Sequence, residues 1–182
     1  MFKQLEELFG YMPNDYLTMG HRPGVMKAVS DLTAAVVFAP GKTTMDLRLL
    51  VAYISSRAAK CMYCTAHCGS LASQHGIPVE KLQNISSYET NESFSPLEKS
   101  VLRVAERASK SPNAVTDQDF SELRKFLDEE GSAEILGVIS LMGFYNRWND
   151  TVATTLERAP HERAQQILKG TCWEAGKHAA NV

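Results

Sequence analysis

The chain lacks any excess of positive charge. Its 19 Lys and Arg are outnumbered by 21 Asp and Glu, for a net charge of −2. Nothing in that balance recruits a phosphate backbone or an anionic bilayer, so neither nucleic acid nor membrane is expected as a partner. An uninterrupted apolar run of the roughly 20 residues needed to cross a bilayer is also missing. The segment Met1-Phe2-Lys3-Gln4-Leu5-Glu6-Glu7 has no basic region, apolar stretch or small-residue cleavage site of a secretory signal. The chain therefore reads as cytosolic, and the N-x-S matches at Asn84 and Asn91 read as accidental. Strand-like alternation of apolar and polar residues is absent. Cysteine is scarce, with four in 182 residues. A disulfide scaffold spreads its bridges through a small secreted domain. Here Cys61, Cys64 and Cys68 crowd into eight residues while Cys172 stands apart. That crowding points to redox chemistry or metal binding.

What is present is helical spacing, and the length suits one domain over residues 1–182 with a real core. Val25, Val29, Leu32 and Val36 repeat at helix intervals, and Pro40-Gly41 ends that segment. Residues 43–59 are apolar nearly all round, which predicts a buried central helix. Ser95-Pro96-Leu97-Glu98 has the form of an N-cap, a first-turn proline and an acidic first turn. Thr116 to Asp119 opens another helix, with Phe120, Leu123 and Leu127 inward and a close near Gly131. Residues 132–156 form the most hydrophobic helix, with Ile135, Ile139, Met142, Phe144 and Trp148. A last helix is expected from about His161 to Lys177, with Cys172 on its apolar side. Ser86–Ser93 is the least structured stretch. The expected fold class is all-α.

The chemical signal is Cys61-Met62-Tyr63-Cys64-Thr65-Ala66-His67-Cys68. With residues 62–75 helical, the first cysteines lie at the helix N-terminus. Unpaired N–H groups and the helix dipole there favour a thiolate over a free thiol of pKa about 8.5. A two-residue gap lets the sulfurs meet in a disulfide, as a thiolate and its resolving partner. His67 lies three residues after Cys64, on the same face, and an imidazole there can take or return a proton. Cys68 shares that face, as packing or as a secondary redox group. Tyr53 is about two turns before Cys61, with a bend admitted near Ala59-Lys60, and reads as a packed aromatic or a proton donor. Four potential zinc ligands, Cys61, Cys64, His67 and Cys68, are crowded into two turns, whereas structural sites draw pairs from separated segments. A thioredoxin-like setting would need a strand before the dithiol.

The stretch Leu50-Val51-Ala52-Tyr53-Ile54-Ser55-Ser56-Arg57-Ala58-Ala59-Lys60, followed by Cys-Met-Tyr-Cys-Thr-Ala-His, resembles the AhpD-like branch of the carboxymuconolactone decarboxylase family. Gly143-Phe144-Tyr145-Asn146-Arg147-Trp148-Asn149-Asp150-Thr151 resembles a second signature of a peroxidase-related subgroup. The likeness covers roughly residues 20–160. It implies an all-α helical bundle, self-assembly as a trimer or hexamer, and peroxide reduction in antioxidant defence. It further implies that Cys64 attacks the peroxide, that Cys61 closes the disulfide, and that an external dithiol donor restores the pair, with no cofactor or metal. The sulfur then cycles through sulfenic acid and disulfide. Better-known members place a glutamate twelve residues before the first cysteine and a histidine four after the second. Here those positions hold Leu49 and Cys68, so that relay does not transfer. His67 is the nearest substitute, Tyr53 could complete a different relay, and Asp46 and Asp150 are candidate carboxylates.

The expected activity is thus a thiol peroxidase acting on small or organic hydroperoxides, with Cys61, Cys64, His67 and Tyr53 as site residues. The alternatives are a zinc-binding or redox-sensing oligomer without turnover, or a family enzyme acting on a small cyclic lactone. The dithiol argues against the last, since decarboxylase members generally lack it.

Overall fold

The structure is a computed structural model and describes residues 10–180. It contains helices and turns and, among the described residues, no strand. In chain order the α-helices are α1 (Asn14–Met19), α2 (Pro23–Thr33), α3 (Met45–Ala58), α4 (Met62–Gln74), α5 (Val79–Gln83), α6 (Pro96–Ala108), α7 (Asp117–Leu123), α8 (Glu129–Val152) and α9 (Arg158–Ile167). A π-helical turn, Ala34–Phe38, prolongs α2, and short 3-10 turns cover Ile85–Ser87 and Gly176–His178. No helix among the described residues is long and apolar enough to cross a membrane.

The centre is α3. Every residue from Leu47 to Ser56 is buried, because α4, α6 and α8 pack around it. This is the all-round apolar helix that the sequence predicts. Thr44 caps it by accepting the Leu47 N–H. The loop before it is tied to α8, where the Glu134 carboxylate accepts the Lys42 and Thr43 N–H groups and the Thr43 hydroxyl. The Ser95 N-cap on α6 forms as its sequence implies, and Glu98 also reaches back to the Ser95 N–H to complete a capping box.

Several boundaries differ from the sequence reading. The π turn widens the end of α2, so its buried stripe is Met26, Val29 and Val37, while Leu32 is exposed and Val36 half-buried. The helix opened at Thr116 stops at Leu123, and Asp128 then caps α8 through the Gly131 N–H. Phe144 on α8 is exposed. The expected terminal helix ends early. Gly170 adopts a left-handed φ of 83° shortly after Ile167, a conformation that stops a helix. Cys172 therefore lies exposed beyond it instead of packing in the core.

Candidate active site

The junction between α3 and α4 fixes the dithiol. Lys60 takes a left-handed φ of 58°, which breaks the helix after Ala58. The chain then turns so that the Cys61 N–H reaches the Ser56 carbonyl at 3.2 Å. Cys61 becomes the N-cap of α4, and its sulfur accepts the Cys64 N–H at 3.5 Å. The bend near Lys60 thus places both sulfurs at the positive end of a helix.

The two cysteines differ in what they border. Cys64 lines a cavity of about 110 Å³, whereas Cys61 is fully buried behind it. Apolar walls come from Phe38, Leu49, Leu141 and Met142. Leu49, at the position where better-known relatives carry a glutamate, is therefore wall. Phenol groups enter from Tyr11, Tyr16, Tyr63 and Tyr145. The Tyr16 and Tyr145 hydroxyls bond each other at 2.8 Å.

Asn149 holds the Cys64 sulfur. Its amide Nδ2 donates to Cys64 Sγ at 3.4 Å and to Asp15 Oδ2 at 3.2 Å. The amide cannot be flipped without loss, because the Thr154 hydroxyl donates to its Oδ1 at 2.7 Å. Thr154 is in place because Ala153 ends α8 in a left-handed conformation, φ 49°. The Thr154 carbonyl then accepts from His178 Nδ1 at 2.8 Å. One residue thereby anchors the neighbours of both sulfurs.

His67 also faces the cavity. Its ring stacks on Tyr63 with centroids 4.3 Å apart. Nε2 lies 2.7 Å from Glu157 Oε2, and Nδ1 lies 3.2 Å from the Tyr11 hydroxyl. Glu157 also accepts the Tyr63 hydroxyl at 2.8 Å and the Asn14 N–H. In the neutral ring, Nε2 carries the proton to the carboxylate and Nδ1 accepts from Tyr11. The carboxylate partner of His67 is therefore Glu157, and neither sequence candidate fills that place. Asp46 is exposed, and Asp150 pairs with Lys177 at 2.9 Å.

Among the residues named from sequence, Cys64, His67 and Cys68 meet at the cavity and Cys61 lies behind it. Tyr53 is not brought there. It is buried against Gly69, and its hydroxyl accepts from Arg57, which also bonds Ser86. Cys68 Sγ is 3.6 Å from Ser56 Oγ. Sequence reasoning missed Tyr11, Asp15, Glu157 and His178 as site residues, and held Asn149 only as part of the second signature. Among the described residues no three His, Cys, Asp or Glu side chains converge as a metal-holding group.

The electrostatics divide the sulfurs. A hydrogen bond from the Cys64 thiol, and then the nearby His178 imidazole, lower Cys61 to about 5 in spite of burial. Burial and the neighbouring Cys61 push Cys64 well up. The negative charge is thus favoured on Cys61 over Cys64. Burial pushes Cys68 up to about 12, so it stays a thiol. Asp15 is raised by burial, against the pull of His67 and the Asn149 amide. A carboxyl raised on folding contributes stability below its unfolded value and loses it as pH rises through the folded one. Asp15→Asn is accordingly expected to raise stability at neutral pH and to remove this pH dependence, measured by urea unfolding across the acid to neutral range.

No family model matches the chain, nor does any curated protein. Solved structures do. The debrominase Bmp8, in its apo form, is 31% identical over 91% of this chain and 89% of its own, with a TM-score of 0.84. A cysteine-to-alanine variant of Bmp8 in complex with 2,3,4-tribromopyrrole matches at 30% identity, over 91% of this chain and 88% of that one, again at 0.84. The alkylhydroperoxidase AhpD core of an uncharacterized peroxidase-related protein from Ralstonia eutropha JMP134 shares the fold. Its identity is 22%, over 92% of this chain and 87% of its own, with a TM-score of 0.77. An all-α chain with a dithiol at a helix N-terminus defines the class, and this chain belongs to the AhpD-like alkylhydroperoxidase and carboxymuconolactone decarboxylase family.

Proposed function

We propose that the chain is a dithiol-dependent peroxidase that reduces small organic hydroperoxides, with Cys64 as the attacking sulfur and Cys61 as the resolving one. The observation that carries this reading is the position of Cys64. It is the member of the pair that lines the apolar cavity, and Asn149 donates to its sulfur. Deprotonated Cys64 attacks one peroxide oxygen, the O–O bond breaks, and the alkoxide leaves. Tyr11, backed by His67 and Glu157, supplies its proton. Cys64 is left as a sulfenic acid. The Cys61 thiolate then attacks the Cys64 sulfur, forming the disulfide and releasing hydroxide, which is protonated to water. An external dithiol returns two electrons and two protons. A homo-oligomer remains part of this reading.

A second reading is favoured by the 31% identity with a debrominase and by the aromatic-lined cavity. Here the substrate is a small brominated aromatic. The Cys64 thiolate takes bromine from carbon, and the carbon takes a proton. Cys61 then displaces bromide to give the same disulfide.

Single-turnover assays of the reduced protein separate the two. Under the peroxidase reading, one equivalent of an organic hydroperoxide consumes two thiols per chain within the mixing experiment, and 2,3,4-tribromopyrrole releases no bromide. Bromide release with no reaction toward hydroperoxide overturns that reading in favour of the second.

A further inference from the structure

His178 lies 114 residues after Cys64 in sequence, and the reaction above gives it no task. Its surroundings nevertheless are those of a working imidazole. The 3-10 turn Gly176–His178 packs on α4 and carries the ring, 1% exposed, to the rear of the dithiol. Nδ1 is committed to the Thr154 carbonyl at 2.8 Å, and the His178 carbonyl in turn accepts the Leu156 N–H at 2.8 Å. With the Nδ1 proton fixed there, Nε2 is the basic nitrogen of the neutral ring. Nε2 makes no hydrogen bond, although a buried polar atom normally does. Its ionisable neighbours are Cys61, with which it interacts electrostatically, and Asp150, whose Oδ1 lies 3.6 Å away.

We propose that His178 is the proton acceptor of Cys61, holding that buried sulfur as a thiolate ready to close the disulfide. The inference rests on the dithiol reading above and adds a proton path on the side away from the substrate. Before oxidation, the Cys61 proton sits on Nε2 as an imidazolium beside the Asp150 carboxylate. When Cys64 attacks, its own proton passes on the cavity side to the leaving alkoxide, and Cys61 stays a thiolate beside the imidazolium until the second step begins. The Cys61 electron pair then forms the S–S bond, and the hydroxide leaving Cys64 is neutralised by the imidazolium proton. Charge and protons balance with no further reactant. The titratable groups facing the pair are Cys64 from α4 and Asp150 from α8, the latter bridged to Lys177 at 2.9 Å. Tyr63 adds a ring 6.0 Å from that of His178. Burial opposes the charged imidazole, but Cys61, the Thr154 carbonyl and Asp150 outweigh it and raise His178.

The test is a titration without substrate, so its failure is distinguishable from failure of the peroxidase reading. In a Cys64→Ser background the serine keeps a hydroxyl donor to Cys61. The ultraviolet thiolate absorbance is followed against pH, with the matching Cys61→Ser protein subtracted to cancel Cys68 and Cys172. The Cys61 midpoint should lie in the acid range. In His178→Gln it should move up toward the free-thiol value of about 8.5, where a full shift lowers the thiolate fraction at pH 7 roughly 30-fold. A folded His178→Gln protein with an unmoved midpoint overturns the proposal. If that variant does not fold, Asp150→Asn decides. A raised midpoint supports the proposal, and an unchanged one overturns it.

Discussion

Cys64→Ser is expected to lower single-turnover reduction of an organic hydroperoxide by at least about a thousandfold. A hydroxyl at this place is far less acidic than a thiol, and it cannot form the disulfide that stores the two electrons. The loss should not come from unfolding. Serine fits the volume, and the Asn149 amide that donates to the sulfur can donate to a hydroxyl oxygen. Cys61→Ser should behave differently. It leaves the cavity-facing sulfur in place, so the first step proceeds once and stops at an oxidised Cys64 trappable by a sulfenic-acid reagent. Rapid-mixing kinetics with mass spectrometry read both outcomes. Equal rates for wild type and Cys64→Ser would sink the assignment.

Glu157→Ala is the variant expected to cost the most stability, about 3 kcal/mol or more by urea unfolding at neutral pH. Its carboxylate ties two segments to its own: Asn14, the first residue of α1, and Tyr63 and His67 on α4. With it removed, the His67 Nε2 proton and the Tyr63 hydroxyl are left in a largely buried place without an acceptor. The pH dependence has a definite sign. Burial alone would raise the Glu157 carboxyl, but His67, then Asn14 and Tyr63, outweigh it and hold it below the usual carboxylate range. A carboxyl lowered on folding contributes stability that is present above its unfolded value of about 4.3, and loses it as pH falls through the lower folded value. The difference between wild type and Glu157→Ala should therefore be full near neutrality and shrink in acid. A gap that widens in acid would contradict the contacts described.

The helices were legible because their stripes are local. The buried run in α3 and the Ser95 N-cap follow from residues a few positions apart, and both appear as read. The placement of Cys61 at the start of α4 was legible for the same reason. The surroundings of the dithiol were not. Glu157 lies 90 residues from His67, Asn149 lies 85 from Cys64, and only the packed fold brings them together. His178 was further obscured by reading a helix through to Lys177. Gly170 and Gly176, both left-handed, mark where the chain leaves the helical path and turns back toward α4. Leu49 and Cys68, read as gaps in a relay, become an apolar wall and a thiol held neutral by burial.

The most direct test of the central claim is a thiol count before and after one equivalent of organic hydroperoxide, with peptide mass spectrometry locating any new bond. The account predicts the loss of two thiols and a Cys61–Cys64 disulfide, with Cys68 and Cys172 still reduced. A Cys64–Cys68 bond, or four thiols intact, would contradict it.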